Sequence, residues 1–171
     1  AGYKYKTKIN INWIDSESLE KNDVNLKEIF KNSKGILVPG GFGNRGIEGK
    51  IKAIKYSREN NIPFLGICLG MQLAVIEFAR NVCGIKEASS TEFNELCPEP
   101  IIDLMADQKS ITNMGGTLRL GNYECTLVHD TLAYKDYKQD KILERHRHRY
   151  EFNNKYKETL EKKGMVFSGI N

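Results

Sequence analysis

Two short apolar runs, each followed by a stretch with helical spacing, organise the first half of the chain. Gly35-Ile-Leu-Val-Pro39 is stopped by its proline and reads as a buried parallel strand; Phe64 to Ile67 is a second run of the same kind. Lys50 to Glu59 puts Ile51 and Ile54 on one helical face, and Leu69 to Arg80 has a strong helical pattern. Strand, helix, strand, helix in this order predicts an α/β domain with a parallel sheet. Right-handed crossovers then bring the loops after both strands to one edge of the sheet, where open α/β folds bind ligands.

Weaker patterns fill the rest. Lys8 to Ile14 alternates loosely and is β-branched, which predicts a strand, with Asp15 or Ser16 capping a turn. Asn25 to Asn32 predicts a short helix, Pro98 to Met105 a strand, Asn154 to Lys162 a helix, and Met165 to Ser168 a final strand. Gly115 to Leu120 and Cys125 to Val128 predict a hairpin turning at Gly121-Asn122.

Composition narrows the class. A length of 171 residues suits one domain with one substantial core, and 40% hydrophobic with 28% charged residues suits a folded chain. No apolar stretch approaches the roughly 18 residues of a membrane helix, and the first residues, Ala-Gly-Tyr-Lys-Tyr-Lys-Thr-Lys, lack the apolar core of a signal peptide. Cys68, Cys83, Cys97 and Cys125 form neither a Cys-x-x-Cys pair nor a disulfide framework, which fits a reducing cytoplasm and gives no metal-ligand spacing. The net charge of +4 is a weak argument for a nucleic-acid partner, and the dense basic run Arg145 to Arg149 is flanked by Glu144 and Glu151. No nucleic acid and no membrane are expected as partners.

The chemistry concentrates at Gly66-Ile-Cys68-Leu-Gly70, which has the pattern of a nucleophile elbow with cysteine in place of serine. An elbow turns sharply between a strand and a helix, and its neighbours two positions away on either side must be small. Cys68 would stand at the start of a helix, where the dipole and free backbone N–H groups favour a thiolate and can hold an oxyanion; Leu69 N–H is the donor on this side. The alternative is a buried structural cysteine between two packing glycines. Gly41-Phe-Gly-Asn-Arg-Gly46 matches a dinucleotide fingerprint, but no acidic residue closes a second strand about 20 residues on. The loop's position at the edge that carries Cys68 instead suits the second half of an oxyanion hole, from the N–H groups of Gly40 to Phe42.

Val38-Pro-Gly-Gly-Phe-Gly43 followed by Gly66-Ile-Cys-Leu-Gly-Met-Gln72 resembles the class I glutamine amidotransferases. Ser89-Ser-Thr-Glu-Phe93, Gly115-Gly-Thr-Leu-Arg-Leu-Gly121 and Glu144-Arg-His-Arg-His-Arg-Tyr-Glu151 narrow the resemblance to the amidotransferase (glutaminase) domain of the CTP synthases. The resemblance covers about Lys8 to Gly169. It implies a three-layer, flavodoxin- or Rossmann-like α/β fold, a mostly parallel sheet with flanking helices. It implies that Cys68 attacks the side-chain amide of L-glutamine and forms a glutamyl thioester. Gly41 and Leu69 would lie in the oxyanion hole and glutamine pocket, while Gln72, Glu92 and Arg149 hold the substrate's α-amino and α-carboxylate groups. No cofactor or metal is implied in this domain. ATP and magnesium belong to a synthetase domain of the same polypeptide, which aminates UTP to CTP, and the parent enzyme would be a homotetramer.

The sequence departs from the family in its catalytic partners, at its ends and at a short join near Gln108-Lys109-Ser110. The family's cysteine works with a His-x-Glu pair, and none of His129, His146 and His148 is followed two residues later by an acid. No catalytic base is therefore assigned. The first strand of the family and the His-x-Glu segment are expected to be missing, so that a polypeptide of these residues alone would be unstable and inactive. Another cysteine-elbow hydrolase, such as a γ-glutamyl hydrolase or a DJ-1-like protein, and an inactive regulatory domain on the same fold stand as alternatives.

Overall fold

The computed structural model describes residues 2–104 and 119–171. Asp15 accepts from the Glu17 amide and opens a 3₁₀ turn at Glu17–Glu20, and Asn25 caps helix α1 (Leu26–Phe30) by accepting from the Glu28 amide. The two apolar runs then lie side by side. β1 (Ile36–Val38) and β2 (Phe64–Gly66) pair in parallel, with Val38 opposite Gly66. Their crossover is α2 (Ile47–Glu59), which starts at Ile47 rather than Lys50 because Ile47 is already buried against the core. β2 leads through Cys68 into α3 (Leu69–Asn81).

α2 and α3 pack together on one face of β1 and β2. Leu73 and Ile76 of α3 are fully buried with Ile51 and Ile54 of α2, and complete burial of such side chains contributes about 1.5–3 kcal/mol each. Two ion pairs fix the helices in register. Arg58 reaches from α2 to the buried Glu77 carboxylate (Nη2 to Oε1 2.8 Å, Nε to Oε2 3.0 Å), and Arg80 Nη1 donates to both oxygens of Glu48 at 2.9 and 3.0 Å. A buried carboxylate is tolerated only with such donors. The opposite face of β1 and β2 is open, and Leu37 and Leu65, adjacent in the register, are 56% and 57% exposed. β1 is thus buried on one face only.

The chain continues through β3 (Ala88–Ser90), β4 (Glu99–Leu104), β5 (Arg119–Leu127), α4 (Leu132–Tyr137), β6 (Lys141–His148), β7 (Tyr150–Phe152), α5 (Lys157–Glu161) and β8 (Gly169–Ile170). β3 pairs in parallel with β4, and β4 pairs antiparallel with β7; Ile101, Ile102 and Leu160 extend the core under α3. β6, β5 and β8 form a separate antiparallel sheet. The α/β architecture with parallel ladders and flanking helices agrees with the sequence.

Three expected elements do not form. Lys8 to Ile14 has no ladder partner among the described residues, and Ile9, Ile11 and Trp13 are exposed. β-branched residues favour a strand, yet pairing makes one. The hairpin at Gly121-Asn122 is replaced by the unbroken β5, since both residues pair across to β6, opposite His146 and Arg145. Residues 115–118 of that expectation lie outside the described residues. The final strand falls at Gly169–Ile170 instead of Met165 to Ser168, paired with Thr126 and Leu127.

Candidate active site

Cys68 is the hinge between β2 and α3. Its φ of 52° and ψ of −109° lie outside the regions open to ordinary L-residues, and the surroundings hold it there. The close approach needs both flanking glycines. A Cβ on Gly66 would come within 2.6 Å of the Gly70 carbonyl group, and a Cβ on Gly70 would stand 2.1 Å from the Val38 oxygen. Gly70→Ala must therefore part α3 from β1. The expected loss is about 3 kcal/mol in folding stability, read from the denaturant midpoint; an unchanged midpoint would contradict this packing.

The first turn of α3 closes on the cysteine. Met71 and Gln72 N–H both donate to Cys68 O, at 3.0 and 3.1 Å. Leu69, the first residue of the helix, has no acceptor for its N–H within the helix. Its side chain is buried in the core, so only its backbone is available to a ligand. The glycine loop lies against this turn: a Cβ on Gly40 would sit 3.4 Å from Cys68 Cβ, and one on Gly41 3.2 Å from a Leu69 methyl carbon. The loops after β1 and β2 thus meet at one edge of the sheet, as the topology predicts.

A pocket of about 340 Å³ opens at this edge. Cys68, Gly41, Gln72, Glu92 and Arg149, all singled out in the sequence, line it together. Phe42, whose N–H the sequence placed with the oxyanion hole, also lines it, as do His148 and Tyr150, which were not assigned from the sequence although both stand inside a quoted motif. Glu92 follows β3 and accepts from Gly43 N–H at 2.9 Å, which ties the glycine loop to the far wall. Gln72 is 5% exposed and donates from Nε2 to Tyr150 O at 2.9 Å, so α3 grips β7. Arg149 is the single residue between β6 and β7. Burial pushes the Tyr150 phenol up, and the nearby Glu92 carboxylate adds to the effect. The pocket is therefore lined by a carboxylate, a guanidinium and a thiol.

Each histidine has a close polar or aromatic neighbour. His129 Nε2 lies 2.8 Å from Asp140 on the exposed outer sheet. His148 has its Nε2 2.7 Å from His146 Nδ1, and its Nδ1 faces Glu151 Oε1 at 3.7 Å. Burial, followed by the neighbouring His148 and Arg119, holds the His146 imidazole below its usual range. Among the described residues, no group of three or more His, Cys, Asp or Glu side chains is placed to hold a metal ion, and no helix is long and apolar enough to cross a membrane.

The whole chain, residues 1–171, matches the family model described as glutamine amidotransferase class-I. The chain belongs to the class I glutamine amidotransferases. This amidotransferase chain is 59% identical over 170 residues to a CTP synthase of Caldanaerobacter subterraneus subsp. tengcongensis and 60% identical over 169 residues to one of Halalkalibacterium halodurans. Each alignment covers 99% of this chain and 31% of the relative, so the chain spans about a third of their length. Among solved structures, the Trypanosoma brucei CTPS glutaminase domain with bound acivicin superposes with a TM-score of 0.92 at 39% identity, over 98% of this chain and 64% of that one. The α/β class expected from the sequence is thereby that of the class I amidotransferases.

Proposed function

We propose that this chain is the glutamine-hydrolysing part of a CTP synthase, with Cys68 as its nucleophile. The observation that carries the reading is the pocket itself, which a cysteine on a strained elbow lines together with Glu92 and Arg149. The names of the relatives supply the product. A carboxylate pairs with the substrate's α-ammonium and a guanidinium forks onto its α-carboxylate, which leaves the side-chain amide directed at the thiol.

The thiolate of Cys68 attacks the amide carbon of glutamine, and the N–H groups of Leu69 and Gly41 receive the oxyanion. The C–N bond breaks and ammonia leaves with a proton from the general acid. Water then attacks the glutamyl thioester, the C–S bond breaks, and glutamate departs from the regenerated thiol. Gln72 supports this arrangement by holding the Tyr150 backbone. None of His129, His146 and His148 belongs to the His-x-Glu pair with which the family's cysteine works. A synthetase domain of the same polypeptide, with ATP and magnesium, uses the ammonia to convert UTP to CTP. A cytoplasmic homotetramer completes the proposal.

Glutamate release is the direct test. The natural polypeptide that carries this chain should form glutamate from glutamine, and CTP from UTP and ATP at the same time. Formation of glutamate without CTP would keep the amidotransferase and discard the synthetase assignment.

A further inference from the structure

Arg149 occupies an unusual place. The chain leaves the outer antiparallel sheet at His148, the end of β6, and joins the core sheet at Tyr150, the start of β7. Whatever joins these two sheets around the crossing also sets the direction of Arg149. Five side chains gather round the crossing. Arg119 on β5 donates from Nη1 to both oxygens of Glu151 on β7, at 2.9 and 3.1 Å. Glu151 Oε1 faces His148 Nδ1 at 3.7 Å, and His148 Nε2 lies 2.7 Å from His146 Nδ1. His146 meets the Tyr123 ring edge-on at 5.2 Å between centroids, and Arg119 returns over the face of Tyr123 at 4.2 Å. Arg119, His148 and Glu151 are only 15%, 22% and 20% exposed, so their charges interact more strongly than at a surface.

At 2.7 Å the two imidazoles share one hydrogen bond, which ties His148 to His146. The residue across from His146 on β5 is Gly121, whose φ of 112° is a conformation glycine adopts readily.

We propose that His146, His148 and Glu151 are positioning residues, which hold Arg149 in the geometry that receives the carboxylate of an α-amino acid substrate. The proposal rests on the glutaminase reading above. His148 is the member that touches the pocket; His146 acts only through it. Leucine and asparagine have the same shape, and asparagine places an N–H donor where His146 Nδ1 stands, so the pair His146→Leu and His146→Asn isolates the hydrogen bond. Steady-state glutamine hydrolysis by the natural polypeptide is the measurement. H146L should raise KM for glutamine about tenfold with kcat within about twofold, and H146N should keep KM within about threefold of wild type. If H146L does not fold, Glu151→Gln, which removes the carboxylate that anchors Arg119 of β5 to β7, should give the same rise in KM. Equal KM values for H146L and H146N, or a fall in kcat alone, would overturn the positioning role. An active wild type with unmoved KM in these variants sinks the ring alone, whereas a wild type that does not hydrolyse glutamine sinks the glutaminase reading and the ring with it.

Discussion

Replacing Cys68 with serine should lower glutamine hydrolysis by about 10⁴-fold or more while leaving glutamine binding within a few-fold of wild type. The two outcomes separate because the proposed roles sit on different elements. Serine keeps the shape at the elbow, so the strained backbone between Gly66 and Gly70 and the packing of α3 on β1 are retained. Glu92 stays on the glycine loop and Arg149 stays at the crossing of β6 and β7, so the substrate's charged groups keep their partners. Only the nucleophile weakens, since a hydroxyl holds its proton far more tightly than a thiol at neutral pH. Kinetics of glutamate release alongside glutamine titration of the variant check both halves. In the natural polypeptide, free ammonia should restore CTP formation by the variant, because ammonia is what the lost half-reaction delivers. A serine variant with near-normal turnover would remove Cys68 from the chemistry.

The second large effect concerns the 171 residues on their own. They should release glutamate about 10²–10⁴-fold more slowly than the natural polypeptide, the range ascribed to a positioned general base. Both ring nitrogens of His148, the histidine at the pocket, face His146 and Glu151, and His129 stands on the outer sheet with Asp140. The isolated chain should also self-associate. Leu37 and Leu65 form an open apolar face on β1 and β2, and Ile9, Ile11 and Trp13 are exposed along an unpaired segment. Contiguous apolar surface of this kind seeks a cover. Size-exclusion chromatography and a glutaminase assay on the isolated chain test both statements. Full turnover from a monodisperse preparation would show that the base lies within these residues after all.

How much of this was legible in the sequence differs from site to fold. Strands and helices with simple apolar periods, such as Phe64 to Ile67 and Leu69 to Arg80, fell within a residue or two of their places. The elbow was visible because its steric demand selects glycine at Gly66 and Gly70. β6 was not visible as a strand. Its alternation is real, but the inward positions hold Glu144, His146 and His148 where an apolar period would be sought. Lys8 to Ile14 failed for the opposite reason: the residue types suit a strand, but nothing among the described residues pairs with it. In the site, residue chemistry alone singled out Cys68; Glu92, Gln72 and Arg149 came from the family resemblance, and the structure brings all four to one pocket. The ring around His146 depends on contacts between β5, β6 and β7, which no local spacing encodes.

The measurement that bears most directly on the central claim is labelling of the natural polypeptide with a glutamine-mimicking diazoketone electrophile, followed by peptide mapping. The predicted result is one adduct on Cys68, formed in proportion to the loss of glutaminase activity and prevented by excess glutamine. Equal modification of Cys83, Cys97 and Cys125, or inactivation with Cys68 unmodified, would contradict the assignment of this pocket to glutamine.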